Sequence, residues 1–269
     1  MSLIDHIEEY YDAVPRSVCR AEEHGALTLF INRGAGWPYY ARPTRGAREE
    51  ITPADVWAMR ERQRALGIPE AFEWVGEVTP GLAAAAATTG LHVHEHPLLV
   101  LDRDAWRPSA PAPGVTVRLV DADEPDLALP RSIASIAFGE PGTAVGAAGR
   151  PELLAAAAAV PTAALAEVRE RLAADLLVMA VACDAEGPLA VGSHQPVGRV
   201  TEIAGVGTLP AARRRGLAAA VTSELVRDAL DRGVEVVFLS AQDEDVARIY
   251  RRLGFTPVAT ALIAEPPPA

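Results

Sequence analysis

Apolar positions along the 269-residue chain fall into short alternating runs and longer stripes of helical period, separated by glycine and proline. In the second half, residues 115–120 alternate as a short strand, and 127–138 carry the three-and-four spacing of a helix. The segment 139–162, with its glycines, prolines and alanine run, reads as a loop followed by helix. Three apolar runs then follow at hairpin spacing, 176–183, 189–193 and 197–208, with a turn at 184–188, and predict antiparallel neighbours. Beyond them the period changes: helix 216–232, strand 234–240, helix 244–253, strand 257–264. The run Val236, Val237, Phe238, Leu239 has no polar face, as expected of a strand covered on both sides.

The first half echoes this order. A helix at 53–66 stopped by Gly67, a strand at 72–78, a helix at 82–89 and a strand at 91–101 parallel the later helix, Gly233, strand, helix, strand, with Gly90-Leu91 falling where Gly254-Phe255 does. A degenerate duplication and a chance recurrence of common α/β elements both account for the echo. Between the halves, residues 106–114 (Trp-Arg-Pro-Ser-Ala-Pro-Ala-Pro-Gly) continue neither helix nor sheet ladder, which places a boundary between a smaller α/β domain at 1–112 and a second at 113–269.

Composition narrows the function. With 49% apolar residues the chain can bury a sizeable core, yet the alanine runs at 83–87 and 155–159 are too short to span a bilayer, so no membrane segment is expected. The start Met1-Ser2-Leu3-Ile4-Asp5-His6 lacks a basic and then apolar leader, and the expected location is the cytoplasm. Cys19 and Cys183, far apart in the chain, then read as free thiols. A net charge of −11 argues against nucleic acid as partner, because phosphate neutralisation needs a basic face; it suits an amine-bearing partner and equally serves ordinary solubility.

The strongest local signal is Thr208-Leu209-Pro210-Ala211-Ala212-Arg213-Arg214-Arg215-Gly216-Leu217-Ala218, placed between strand and helix. Pro210 lacks a ladder donor and ends the strand. The N–H groups at the start of the following helix have no partner within it, and the helix dipole favours negative charge there, so the junction is an anion cradle fit for a diphosphate. Gly216 leaves room for close approach, and Leu217, Val221, Leu225 and Ala229 form an apolar stripe that pins the helix to the sheet. Gly205-Val206-Gly207 opens like a dinucleotide fingerprint but has Pro210 at the third glycine position, and no Gly-rich loop ends in Lys followed by Ser or Thr.

Arg213-x-x-Gly216-x-Ala218 after Thr208-x-Pro210 resembles the pyrophosphate-binding motif of the GNAT acetyltransferase superfamily. The stretch from Val237 through Asp243 to Tyr250 and Gly254-Phe255 is similar to that family's next strand and helix. The resemblance covers roughly 115–264 and is specific over 200–255. It implies a mixed α/β sheet, flanked by helices and splayed between the strand ending near Thr208 and the strand 234–240, with acetyl-CoA in the gap. Position by position, it implies that the backbone of Val206, Gly207 and Thr208 holds the pantetheine arm and thioester. Arg213, Arg214, Arg215, Gly216, Leu217 and Ala218 would take the diphosphate. Tyr250 would protonate the departing thiolate, and Glu202, eleven residues before Arg213, would serve as base. Asp243 stands where many relatives carry asparagine; it can cap the next helix, and its role toward CoA is open.

The expected reaction is direct acetyl transfer to a primary amine of a small molecule or peptide, without metal and without an acyl-enzyme. The rival is a non-catalytic acyl-CoA-binding regulatory module. The first half lacks the Arg-x-x-Gly-x-Ala spacing, so one cofactor site per chain is expected. Oligomeric state is left open, a homodimer included. His92, His94 and His96 would share one strand face, a spacing compatible with a metal, although none is expected there. His194 reads as an edge-strand residue or one facing the acceptor, and Trp37-Pro38-Tyr39-Tyr40 as packing under a loop or as a substrate wall.

Overall fold

The computed structural model describes residues 2–32 and 39–267. Trp37 and Pro38 lie outside the described residues; Tyr39 and Tyr40 are half-buried. In chain order the elements are α1 (Leu3–Arg16), β1 (Cys19–His24), β2 (Leu27–Asn32), β3 (Ala41–Pro43), α2 (Pro53–Leu66), β4 (Phe72–Val75), α3 (Gly81–Thr88) and β5 (His92–Leu101). There follow β6 (Thr116–Leu119), α4 (Ala128–Gly139), α5 (Arg150–Ala158), α6 (Thr162–Ala173), β7 (Val178–Asp184), β8 (Gly187–His194) and β9 (Val200–Thr208). A 3-10 turn (Pro210–Ala212), α7 (Leu217–Asp231), β10 (Val236–Ser240), α8 (Glu244–Arg251) and β11 (Phe255–Glu265) complete the chain. Among the described residues no single helix is long and apolar enough to cross a membrane, and both cysteines are free thiols.

Two compact units result: residues 1–98 with 257–269, and residues 99–256. The division differs from the sequence boundary at 112/113 in two ways. The proline-rich stretch 106–114 belongs wholly to the second unit, and the chain's last residues return to the first. Proline richness predicts an absent ladder, which is found; it says nothing about where the irregular segment is anchored. The Arg107 N–H donates to the Leu253 carbonyl at 3.1 Å, and the Ser109 N–H to Ser223 Oγ at 2.8 Å, tying this stretch to the residues just after α8 and to the middle of α7.

In the first unit, α1 starts where Ser2 and Asp5 cap each other, and it buries Ile7, Tyr10, Tyr11 and Val14. The β1–β2 hairpin turns at Gly25, whose φ of 59° suits a residue without Cβ. Strand β3 pairs antiparallel with β2 and parallel with β4, and β4 pairs antiparallel with residues 261–264 of β11. Trp74, Phe72, Met59, Leu29 and Leu82 form its core.

The second unit repeats that plan. Strands β7, β8 and β9 are successive antiparallel neighbours, β9 is parallel to β10, and α7 connects them as α2 connects β3 to β4. The parallel extends to the glycines that stop the helices: Gly67 and Gly233 have φ of 66° and 77°, Gly90 and Gly254 of 81° and 102°. The two units thus carry in three dimensions the recurrence of elements that the sequence echo predicted. Helices α4 and α7 pack on opposite faces of the second sheet. A Cβ on Gly207 would meet Ala134 and Ala137 of α4, whereas one on Gly192 would meet Val221 and Leu225 of α7 together with the side chain of Val206. Helix α6 and the length of α5 were not resolved in the alanine-rich sequence, where apolar residues surround each helix without forming one stripe.

Candidate active site

The β9–β10 ladder pairs Val236 with Val200, Val237 with Thr201 and Phe238 with Glu202, and ends there, although β9 continues to Thr208 and β10 to Ser240. The edge of β9 that faces β10 is therefore open from Ile203 onward. This is the splay that the resemblance implied. Strand β9 also carries a bulge. Between Val191–Gly207 and Ser193–Ala204, three steps on β9 oppose two on β8, and Gly205 takes up the extra residue with φ of 62°. The bulge reverses the alternation of side chains. Thr201 reaches His194 on the α7 side, and Val206, an odd number of residues later, faces α7 as well.

A cleft of about 840 Å³ opens beside this edge, within the range of roughly 300–1,000 Å³ typical of small-molecule sites. Val206, Gly207, Thr208, Arg213, Arg214, Gly216, Leu217, Ala218 and Tyr250 all line it. Pro210 opens a single 3-10 turn, Arg214 and Gly216 adopt φ of 66° and 76°, and α7 begins without a side-chain cap. Among the described residues, none of the backbone N–H groups from Arg214 to Ala219 has an acceptor in the protein; the first bonded one is that of Ala220, to Gly216. Nothing lies within 4 Å of a Cβ built on Gly216. An open, electropositive helix start facing a cleft fits a diphosphate.

Of the residues named from sequence, Arg213 is engaged by protein carbonyls, and Arg215, Asp243 and Glu202 are absent from the cleft lining. Arg213 lines the cleft, but its guanidinium donates to the carbonyls of Ala137 (2.8 Å) and Glu140 (2.5 Å), where the end of α4 leaves acceptors unpaired, and to that of Ala144 (3.1 Å) in the loop beyond. Arg215 is exposed and does not line the cleft. Asp243 caps α8, its carboxylate accepting from the Val246 N–H at 2.8 Å, a role open equally to asparagine. Glu202 is half-buried and also lies off the cleft lining, which starts at Ile203.

Tyr250 is buried against Phe255, ring centroids 6.1 Å apart, and burial pushes its phenol pKa well above the ordinary value of 10.0. Its hydroxyl has no partner among the described residues, so the proton it keeps at neutral pH is available to a ligand in the cleft. His194 sits on an interior strand and is fully buried, neither at an edge nor facing the cleft. Its Nδ1 lies 3.0 Å from Thr201 Oγ1 and its Nε2 2.9 Å from Asp228, which also accepts from Arg232. His92, His94 and His96 do share a face, with His94 3.4 Å from Glu265; among the described residues no group of three or more His, Cys, Asp or Glu side chains is placed to hold a metal.

Arg107, Ser109, Phe138, Thr143 and Arg252 also line the cleft, without any sequence signal that marks them for it. They come from irregular segments and helix ends, which carry no periodic or motif signal.

The acetyltransferase (GNAT) family model matches residues 155–255, which contain the open strand edge, the cradle and Tyr250. Residues 155–255 belong to the GNAT acetyltransferase family. A GCN5-related N-acetyltransferase from Kribbella flavida is 25% identical, the match covering 100% of this chain and 97% of that one with a TM-score of 0.70. A tandem GNAT protein from the clavulanic acid biosynthesis pathway (19% identity, 90% and 79% covered, TM-score 0.56) shares the fold. So does a GCN5-related N-acetyltransferase from Sphaerobacter thermophilus (16% identity, 97% and 84% covered, TM-score 0.55). Comparison with curated proteins gives no match. The GNAT fold thus extends beyond the segment that the family model matches.

Proposed function

We propose that the chain is an N-acetyltransferase that moves the acetyl group of acetyl-CoA directly to a primary amine of a small molecule or peptide. The observation that carries this reading is the run of unbonded N–H groups at Arg214–Ala219, opening onto a cleft beside an unpaired stretch of β9. The helix start takes the diphosphate through its N–H groups, with Arg214 adding charge. The free edge of β9 at Val206–Thr208 offers N–H and C=O groups to the amides of the pantetheine arm, much as an added strand would be held. That places the thioester beside Tyr250.

The amine nitrogen attacks the thioester carbonyl, the C–S bond breaks, and the departing thiolate takes the Tyr250 proton. The proton lost by the ammonium leaves through water toward Glu202, since this carboxylate adjoins the cleft without lining it. No serine or cysteine enters the chemistry.

The test is release of CoA from acetyl-CoA across a panel of primary amines, followed by mass detection of the acetylated product. Turnover with at least one amine is expected. Binding of acetyl-CoA without turnover on any amine would favour the regulatory-module reading instead, and a preference for another thioester would change the acyl group.

A further inference from the structure

The loop 140–149, between α4 and α5, is stitched to the 3-10 turn that leads into the cradle. The Gly146 N–H donates to the Pro210 carbonyl at 3.1 Å, and the Ala211 N–H to the Ala148 carbonyl at 2.9 Å. Glu140 Oε1 accepts from the Ala148 N–H at 3.1 Å. The seat is close: a Cβ on Gly146 would lie 2.8 Å from Pro210 Cβ. These bonds hold the second half of the loop and leave the first half to one side chain. Among the described residues, the bond from Arg213 Nη1 to the Ala144 carbonyl is the only hydrogen bond that residues 141–145 make to the protein.

Arg213 is placed for that task. It ends the 3-10 turn, its own N–H bonded back to the Pro210 carbonyl at 3.3 Å, and stands just before the run of unbonded N–H groups. Its guanidinium reaches the carbonyls of Ala137 and Glu140 through Nη2 and that of Ala144 through Nη1. The first two acceptors lie at the C-terminus of α4, where carbonyls lack partners within the helix and the dipole favours a cation. A planar guanidinium spreads its donors over separate nitrogens and so spans the loop, which a compact ammonium does not. The span it closes runs from Phe138, 50% exposed, to Thr143, and both line the cleft together with Gly142.

We propose that Arg213 is a positioning residue: its guanidinium clamps residues 138–144 into a wall of the cleft and does not bind the cofactor's diphosphate. The inference rests on the acetyl-CoA reading above and parts from the family resemblance, which implied a diphosphate contact. The wall continues α4, whereas the cradle is the start of α7, and the two helices pack on opposite faces of the sheet. A cofactor anchored at the α7 start and lying along β9 leaves the α4 side of the cleft to the amine. The clamp therefore acts on amine binding and leaves cofactor binding alone.

Three measurements on the full chain test this, with the wild type, Arg213→Ala and Arg213→Lys. Acetyl-CoA affinity, read by calorimetry, should be nearly unchanged in both variants, because the open N–H groups and the backbone bonds of Gly146 and Ala211 stay in place. Chymotryptic cleavage after Phe138 should speed up roughly tenfold or more in both, as the loss of charged hydrogen bonds implies. Free guanidinium at sub-denaturing concentration should restore resistance to Arg213→Ala. For an amine that is turned over, its KM should rise by a similar factor while kcat changes less, and guanidinium should lower it again. A roughly tenfold loss of acetyl-CoA affinity in Arg213→Ala, or cleavage at Phe138 as slow as in the wild type, would each overturn the proposal. Failure of the wild type to bind acetyl-CoA, or to turn over any amine, would instead remove the functional reading, and the cleavage rates would still decide the clamp.

Discussion

Tyr250 and His194 are both polar side chains taken out of water, with opposite consequences. Tyr250 faces the cleft with an unbonded hydroxyl, and burial holds its proton on. If that proton goes to the thiolate, Tyr250→Phe should lower kcat by about 10²-fold with the KM for acetyl-CoA nearly unchanged, measured by steady-state CoA release. An unaltered kcat would take Tyr250 out of the mechanism. His194 is locked between Thr201 and Asp228, and desolvation lowers its pKa from 6.5, against the raising influence of Asp228. The folded state then binds fewer protons than the unfolded one below the ordinary pKa, so this contribution is present above about pH 6.5 and is lost as pH falls. Thermal unfolding midpoints between pH 5 and 8 should decline more steeply with acid in the wild type than in His194→Gln. Identical slopes would assign the acid sensitivity to other groups. The phenol and the cradle were legible in sequence, because residue type and spacing carry them. The fate of Arg213 was not, since its acceptors are carbonyls at the end of α4 and in the loop after it, about seventy residues earlier in the chain, a distance that no local pattern encodes.

Strand β9 owes its part to two features of its backbone. The bulge at Gly205 turns its side chains over, and the end of the ladder at Glu202 frees its edge. Gly207 then lets α4 lie directly on the strand: an added Cβ would stand 3.0 Å from Ala137 Cβ and 3.1 Å from Ala134 Cα, the latter a backbone atom of a helix. Gly207→Ala should therefore cost about 1–3 kcal/mol through overpacking, read from the urea midpoint at unchanged m-value. Gly192→Ala, whose nearest neighbours at 3.0–3.1 Å are side-chain methyls, should cost less because methyls can turn aside. Equal losses would show that α4 yields as easily as a side chain. The sequence announced strand, turn and helix here, but the single extra residue in β9 became visible only against its partner strand.

At the scale of the whole molecule, the two helices that occupy the same place in the recurring order of elements start differently. Helix α2 is closed by a capping box: Thr52 Oγ1 accepts from the Asp55 N–H, and the Asp55 carboxylate accepts from Thr52, bonds that lower its pKa and keep it anionic. Helix α7 begins at Gly216 with no side-chain cap and no acid in its first turn. One start satisfies its own donors and repels an anion; the other leaves them open. Calorimetry should accordingly give one acetyl-CoA per chain, and a stoichiometry of two would refute this contrast.

The amino-acid sequence by itself determined the order of strands and helices from β7 onward, the anion-binding junction and the family resemblance. Each depends on near neighbours: alternation, capping, a proline or a glycine at the right step. Tertiary structure alone decided which unit holds the proline-rich stretch and which carbonyls the Arg213 guanidinium meets. It also decided that Glu202 stops short of the cleft. Those outcomes are set by contacts between segments far apart in the chain, whose geometry comes into existence only when the sheet and its helices have packed.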